Sequence, residues 1–166
     1  MTDPDTTNTD ADERPIDRWF AGYSRDHRNP VNQALHVACV PLILWSLIAL
    51  LWTLPVAGSW LVQGFWAGLA MFLAWLYWYR ASRRLGLGML LVLVGMAGMT
   101  ALLARLLGIR PLFFLALAVF IAAWVGQFIG HKLEGRRPSF LTDLRYLLVG
   151  PAWVLAKLYR RLGWTF

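Results

Sequence analysis

The sequence has a single cysteine and few charged residues, and each shortage excludes a class of protein. With only Cys39, the chain has no internal disulfide and no metal site built on several thiolates. Charged residues make up 15% of the chain, whereas they make up about 25% of soluble domains. Apolar residues make up 58% of the chain, whereas they make up roughly 45–50% of soluble domains. A soluble fold of this composition lacks the polar side chains to cover its surface. A bilayer solvates apolar side chains, so the composition indicates an integral membrane protein.

The net charge of +7 is compatible with nucleic-acid binding or with contact to a membrane surface. The Lys and Arg residues occur in short clusters between long apolar runs and do not follow one continuous face. Such clusters are typical of the cytoplasmic loops of membrane proteins, which lie beside anionic lipids. We therefore expect membrane lipids as partners, and no nucleic acid. The first 17 residues are acidic and polar, so no signal peptide is predicted.

The apolar runs predict an all-α membrane bundle of about four transmembrane helices. The predicted spans are 35–54, 60–79, 85–107 and 111–131, and each is close to the roughly 20 residues that cross the hydrocarbon. Residues 1–14 are rich in Asp, Thr and Asn and predict a disordered acidic tail. Residues 15–166 then form a single membrane-embedded helical domain.

Two further segments flank the predicted spans. Apolar residues at helical spacing predict a short amphipathic helix over 17–27. Residues 144–158 are apolar but contain Gly150 and Pro151, which favours re-entrant or interfacial helices over a fifth span. The third span is rich in glycines that predict close packing between helices: Gly86, Gly88, Gly95 and Gly98.

The distribution of Lys and Arg predicts the orientation of the chain. With four spans, fourteen of the 16 Lys and Arg residues lie on one side of the membrane, which places both termini in the cytoplasm. His27 and His36 lie at the start of the first span, and His131 lies at the end of the fourth. An even number of crossings returns the chain to its starting side. The topology therefore predicts that all three histidines share one membrane face.

Polar residues accompany the first two histidines. Tyr23 and His27 are four residues apart, as are Asn32 and His36, so each pair shares a helix face. The turn signal Asn29-Pro30 lies between the pairs and allows the two faces to fold back on each other.

Polar residues also accompany the third histidine. Gln127, His131 and Glu134 fall on one narrow stripe of a helix. Because polar groups at a membrane boundary are costly unless they face partners inside the protein, this stripe is predicted to face the bundle interior.

Three imidazoles on one face predict a mononuclear metal site with open positions, since neutral imidazole suits Fe, Zn, Cu and Ni. His27, His36 and His131 are the predicted ligands. Glu134 is predicted as a fourth ligand or as an acceptor that orients an imidazole. The candidates for supporting the ligands or orienting a substrate are Tyr23, Asn32 and Gln127. Arg136 and Arg137 suit a lipid phosphate or a substrate carboxylate.

Two other functions fit the same residues. One is a non-catalytic protein that binds a lipid headgroup through Arg136, Arg137 and Arg145, with structural histidines. The other is a metal-dependent membrane hydrolase with a zinc-bound water. A serine hydrolase is not supported, because no serine lies in a Gly-x-Ser-x-Gly motif.

Two paired motifs carry a resemblance to a known family. Tyr23-x3-His27-x4-Asn32-x3-His36-x4-Pro41 and Gln127-x3-His131-x2-Glu134-Gly135-Arg136-Arg137-Pro138 together resemble the DUF962, or Mpo1-like, family. The resemblance extends over nearly all of the chain from about Pro15. One departure is Cys39, where a smaller residue is expected, and it should affect packing more than chemistry.

The resemblance implies an enzyme, an Fe(II)-dependent dioxygenase that shortens 2-hydroxy fatty acids by one carbon in α-oxidation. It implies Fe(2+) as cofactor, a long-chain 2-hydroxy fatty acid and O2 as substrates, and His27, His36 and His131 as the family's matching histidines. The expected location is the inner membrane of a bacterium or the endoplasmic reticulum of a eukaryote. The sequence does not distinguish a monomer from an oligomer.

Overall fold

The computed structural model describes residues 15–58, 61–134 and 140–166, without the side chains of Pro15, Asp26 and residues 140–146. The predicted tail, 1–14, lies outside the described residues. The regular secondary structure in the described residues is α-helical, which confirms the predicted fold class. The helices are α1 (Pro15–Asp26), α2 (Pro30–Thr53), α3 (Phe65–Ala81), α4 (Arg83–Leu107), α5 (Ile109–Leu133) and α6 (Phe140–Arg161).

Three helices in the described part of the chain, α2, α4 and α5, are long and apolar enough to cross a membrane. The second predicted span, 60–79, corresponds to α3, which has 17 residues and begins only at Phe65. Gly64 precedes it with a φ of 91°, a left-handed conformation that favours glycine, and lies tightly against Trp52. A helix of 17 residues is at the lower end of the roughly 17–25 that span a bilayer. The crossing by α3 stays a prediction.

Both terminal helices lie at the same end of the bundle as the connection between α3 and α4. Trp19 of α1 stacks on Tyr77 near the end of α3, with ring centroids 4.9 Å apart. Arg84 at the start of α4 donates to the hydroxyl of Thr165, just after α6, at 2.5 Å. This arrangement groups the segments that the Lys and Arg distribution places on one side. Their cytoplasmic location stays a prediction.

The segment 144–158 lies within α6, which runs without interruption through Gly150 and Pro151. Its re-entrant or interfacial placement stays a prediction. Pro151 removes one helical hydrogen bond, but packing on both sides holds the helix together. The indole Nε1 of Trp78 donates to the carbonyl of Leu148 at 2.7 Å. A Cβ on Gly150 would lie 3.3 Å from the hydroxyl of Tyr23. The absence of a side chain at Gly150 therefore leaves room for Tyr23 of α1 to pack against α6.

The most extensive helix pair is α2 with α5, and two glycines one turn apart allow its close approach. A Cβ on Gly126 would lie 2.7 Å from the sulfur of Cys39, and a Cβ on Gly130 would overlap the Asn32 side-chain oxygen. Small residues at this spacing let membrane helices pack closely. Cys39 is buried in this contact, in agreement with an effect on packing.

Two of the four glycines that were predicted to allow close packing of α4 do so. A Cβ on Gly86 would meet the backbone of Tyr79, and one on Gly88 would meet the Tyr159 side chain. Gly95 and Gly98 have open space around them, with nothing in the described residues within 4 Å. The prediction of close approach is confirmed for the first two glycines and wrong for the last two.

Replacing Gly130 with alanine should destabilise the α2–α5 junction, because the added methyl group overlaps Asn32. The expected loss is about 1–3 kcal/mol, as for other overpacked sites. Thermal unfolding in detergent, followed by tryptophan fluorescence, measures it. Gly95→Ala makes the same change where there is room, and should leave the transition unchanged or raise it slightly. Equal midpoints for the two variants would contradict the close packing.

Candidate metal centre

Three helix ends bring the histidines together. His27 follows α1, His36 lies in the second turn of α2, and His131 lies in the last turn of α5. One ring nitrogen from each lies within 4.8 Å of the others. His27 and His36 are buried and His131 is partly exposed. The predicted gathering of the three histidines is therefore confirmed.

Hydrogen bonds to the backbone determine which nitrogens of two imidazoles carry hydrogen. His27 Nδ1 lies 2.7 Å from the carbonyl oxygen of Tyr23, and His36 Nδ1 lies 3.0 Å from that of Asn32. A carbonyl oxygen only accepts, so both Nδ1 atoms are donors. In neutral rings, both Nε2 atoms then carry lone pairs.

These two Nε2 atoms face each other at 3.0 Å. Two lone pairs at this distance repel unless they share a cation, either a proton on one ring or a metal ion bound by both. Neutral imidazole is a good ligand for divalent transition metals. A metal-bound imidazole is usually oriented by a hydrogen bond that its other ring nitrogen donates, as Nδ1–H does here. The donor set therefore fits a metal ion.

The ring positions also fit three ligands around one ion. The ring centroids are 4.2 Å apart for His27 and His36, 5.6 Å for His27 and His131, and 5.1 Å for His36 and His131. Imidazoles bound to one metal by bonds of about 2.1 Å have centroids roughly 5 Å apart. Tyr23 stacks on His27 at 4.1 Å, which restrains that ring.

Glu134 fastens the end of α5 to the start of α2. Its carboxylate accepts hydrogen bonds from the backbone N–H of Arg28 at 2.9 Å and of Asn29 at 3.0 Å, and from the Asn32 amide at 2.8 Å. The N-terminus of α2 also favours a negative charge there. Burial opposes the charged form, but these hydrogen bonds hold the pKa of the Glu134 carboxyl below its ordinary value.

This geometry points to a positioning role for Glu134, and its predicted roles, a fourth ligand or an acceptor that orients an imidazole, stay predictions. Both carboxylate oxygens are engaged by the turn before α2, and the gathered ligand atoms belong to the three histidines. Asn32, predicted as a supporting residue, contacts both: its amide donates to Glu134, and its backbone carbonyl accepts from His36 Nδ1. Arg136 and Arg137 lie outside the described residues, as does the side chain of Arg145.

A cavity of about 50 Å³ extends from the histidines into an apolar part of the bundle. Beyond the histidines it is lined by Tyr23, Val40, Ile43, Leu44, Trp124, Gln127, Leu147 and Pro151. The α2 residues of this lining follow His36 toward the interior of the bundle. Since a water needs about 10–15 Å³, the cavity admits a few small polar groups beside the histidines. It is polar at one end and apolar at the other.

Gln33 and Trp153 support the site but were missed from the sequence. Gln33 donates to the carbonyl of His27 at 2.8 Å and accepts from Lys157 at 2.6 Å. Trp153 packs on Tyr23 and donates to Ser24 at 3.0 Å. The contacts of Lys157 and Trp153 join α6 to residues more than 120 positions away, and no local pattern reveals them.

The protein family described as 2-hydroxy-palmitic acid dioxygenase Mpo1-like matches residues 14–162 of the chain. This match covers the segments that contribute the three histidines, Glu134 and the cavity, and it confirms the family resemblance. No curated protein and no solved structure matches the chain.

Replacing Glu134 with glutamine should loosen the junction and weaken metal binding. One oxygen acceptor becomes an NH2 donor that faces the donors of Arg28, Asn29 and Asn32. Supporting residues of this kind contribute about 10–100-fold to metal affinity. Titration with Co(II), followed by its absorption spectrum, measures the change. Lys132→Gln alters an exposed charge at the same helix end and should bind Co(II) like the parent protein. An unchanged affinity in Glu134→Gln would contradict the positioning role.

Proposed function

The chain belongs to the Mpo1-like family, and we propose that it is an Fe(II)-dependent dioxygenase that shortens 2-hydroxy fatty acids by one carbon. The observation that carries the proposal is the pair of Nε2 atoms facing each other at 3.0 Å beside His131, at the polar end of an otherwise apolar cavity. A fatty acid fits a cavity with one polar end and one apolar end, because its carboxylate head is polar and its acyl chain is apolar.

His27, His36 and His131 are the proposed iron ligands. Three neutral nitrogens leave coordination positions open, and imidazole suits iron as well as zinc, copper and nickel. Iron held by these histidines would supply the redox chemistry that O2 needs to react with the acid. We choose iron over zinc because zinc is not redox-active, whereas the activity in the family's description requires dioxygen.

The substrate enters the proposed site from the bilayer. Its carboxylate and 2-hydroxyl lie near the histidines, and the acyl chain follows Val40, Ile43 and Leu44 between helices. These side chains exclude water from the reacting end, while the acyl chain gains the hydrophobic stabilisation of burial. The cavity holds the head of the acid, so most of a long chain extends toward lipid.

The remaining site residues have supporting roles in this proposal. Tyr23 restrains the ring of His27, and Asn32 with Glu134 keeps α2 and α5 in register at the cluster. Gln127 faces the substrate, and Arg136 or Arg137 binds its carboxylate. The protein resides in the inner membrane of a bacterium or the endoplasmic reticulum of a eukaryote, with both termini in the cytoplasm.

The overall reaction balances without any further reductant. The bond between C1 and C2 breaks, C2 is oxidised to a new carboxylic acid, and C1 leaves as CO2. One O2 accepts the four electrons, and its oxygen atoms are accounted for in the products, which are the shortened acid, CO2 and water. The chain therefore needs only iron, O2 and the acid.

Purified protein loaded with Fe(II) without oxygen should convert 2-hydroxypalmitate to pentadecanoate only after O2 is admitted. Mass spectrometry of the acids and an oxygen electrode measure product and O2 uptake, expected in equal amounts. Palmitate should give no product. His36→Ala should abolish the reaction because it removes a ligand, whereas Arg105→Ala, an exposed change distant from the cluster, should leave it intact.

Two outcomes would overturn the proposal. Product formed equally without O2 would indicate hydrolytic chemistry. Absence of product and of O2 uptake in the iron-loaded protein would favour a lipid-binding protein with structural histidines.

A further inference from the structure

The amide of Gln127 is buried in the cavity with a donor that is not used. Gln127 is 4% exposed and lies one turn before His131 on α5. Its Nε2 has no hydrogen-bond acceptor among the described residues. A buried donor without an acceptor is costly, and such groups in a native structure usually meet a ligand or water. The cavity places this donor beside the histidine cluster.

Trp124 belongs to the same wall of the cavity. It lies three residues before Gln127, lines the cavity, and its indole Nε1 is also buried without an acceptor in the part of the chain that the structure describes. The α5 wall of the cavity thus contains two side chains whose N–H groups meet no acceptor in the described residues. A ligand that fits this wall carries an acceptor oxygen close to the group held by the histidines.

We propose that Gln127 is a specificity-determining residue whose Nε2 donates to the 2-hydroxyl oxygen of the substrate, so that the site selects 2-hydroxy acids over unsubstituted ones. This inference rests on the proposed function. The carboxylate is an anion and is best matched by cationic groups. The neutral amide matches the neutral hydroxyl, which is the next oxygen along the acid.

The selectivity follows from the cost of leaving the amide unpaired. An unsubstituted acid fills the same space but offers no oxygen to Gln127, and the buried N–H stays without an acceptor. Sites built to bond a substrate hydroxyl reject analogues that lack it more strongly than apolar pockets reject a small change of size.

Binding measured without turnover tests this role. The Fe(II)-loaded protein is kept free of oxygen in detergent, and the Kd of 2-hydroxypalmitate and of palmitate is measured by intrinsic tryptophan fluorescence. The parent protein should prefer 2-hydroxypalmitate by about 10-fold or more, as one well-placed hydrogen bond predicts. Gln127→Met should lose this preference by weakening 2-hydroxypalmitate alone.

Two further variants keep the test decisive. Gln127→Leu also removes the amide donor with a second apolar side chain of similar volume, and it should lose the preference as Gln127→Met does. Gln63→Met makes the matched change at an exposed glutamine outside the cavity and should keep it. Iron content equal to that of the parent protein shows that each variant is folded.

An unchanged preference in both Gln127 variants overturns the inference, and so does an equal loss of affinity for the two acids. Either result leaves the proposed function standing, because the parent protein still binds 2-hydroxypalmitate. A parent protein that binds neither acid overturns both.

Discussion

The carboxylate of Glu134 joins the end of α5 to the start of α2, and the geometry of the histidine cluster depends on that junction. It spans 106 positions of sequence and engages two backbone N–H groups and the amide of Asn32. Gly130 lies directly against Asn32, so the two helices approach closely at this level. His36 and His131 are held within reach of each other because each lies within four residues of a partner in the junction.

The junction places a demanding set of polar groups at a membrane boundary. Two histidines have their Nδ1 atoms bonded to carbonyl oxygens and direct their Nε2 atoms at one point. The lone pairs of these two Nε2 atoms repel each other unless they share a cation. His131 adds a third imidazole nitrogen as a possible ligand. The cavity beyond is apolar. A ligand with a polar head and an apolar tail fits these two environments, and the 2-hydroxy acid in the family's description is such a ligand.

The sequence predicts the helices and the gathering of the histidines because both depend on simple distributions. Apolar runs mark the membrane helices, and the Lys and Arg residues group the loops that share a face. Tertiary packing decides the rest. Pro151 stays within a continuous α6 because Trp78 and Tyr23 hold that segment. Glu134 shares a helical stripe with His131, but its partners lie in the turn before α2 and at the start of that helix, and helical periodicity does not reveal them. The amide N–H of Gln127, which meets no acceptor within the described ranges, becomes apparent only once the cavity around it is formed.

Metal content is the most direct test of the central claim, that three histidines hold one metal ion at the membrane face. The purified protein and the variants His27→Ala, His36→Ala and His131→Ala are analysed for bound metal after loading with Fe(II) under anaerobic conditions. The account predicts about one ion per chain in the parent protein and a large loss in every variant. No stoichiometric metal in the parent protein, or full metal content in all three variants, would contradict it.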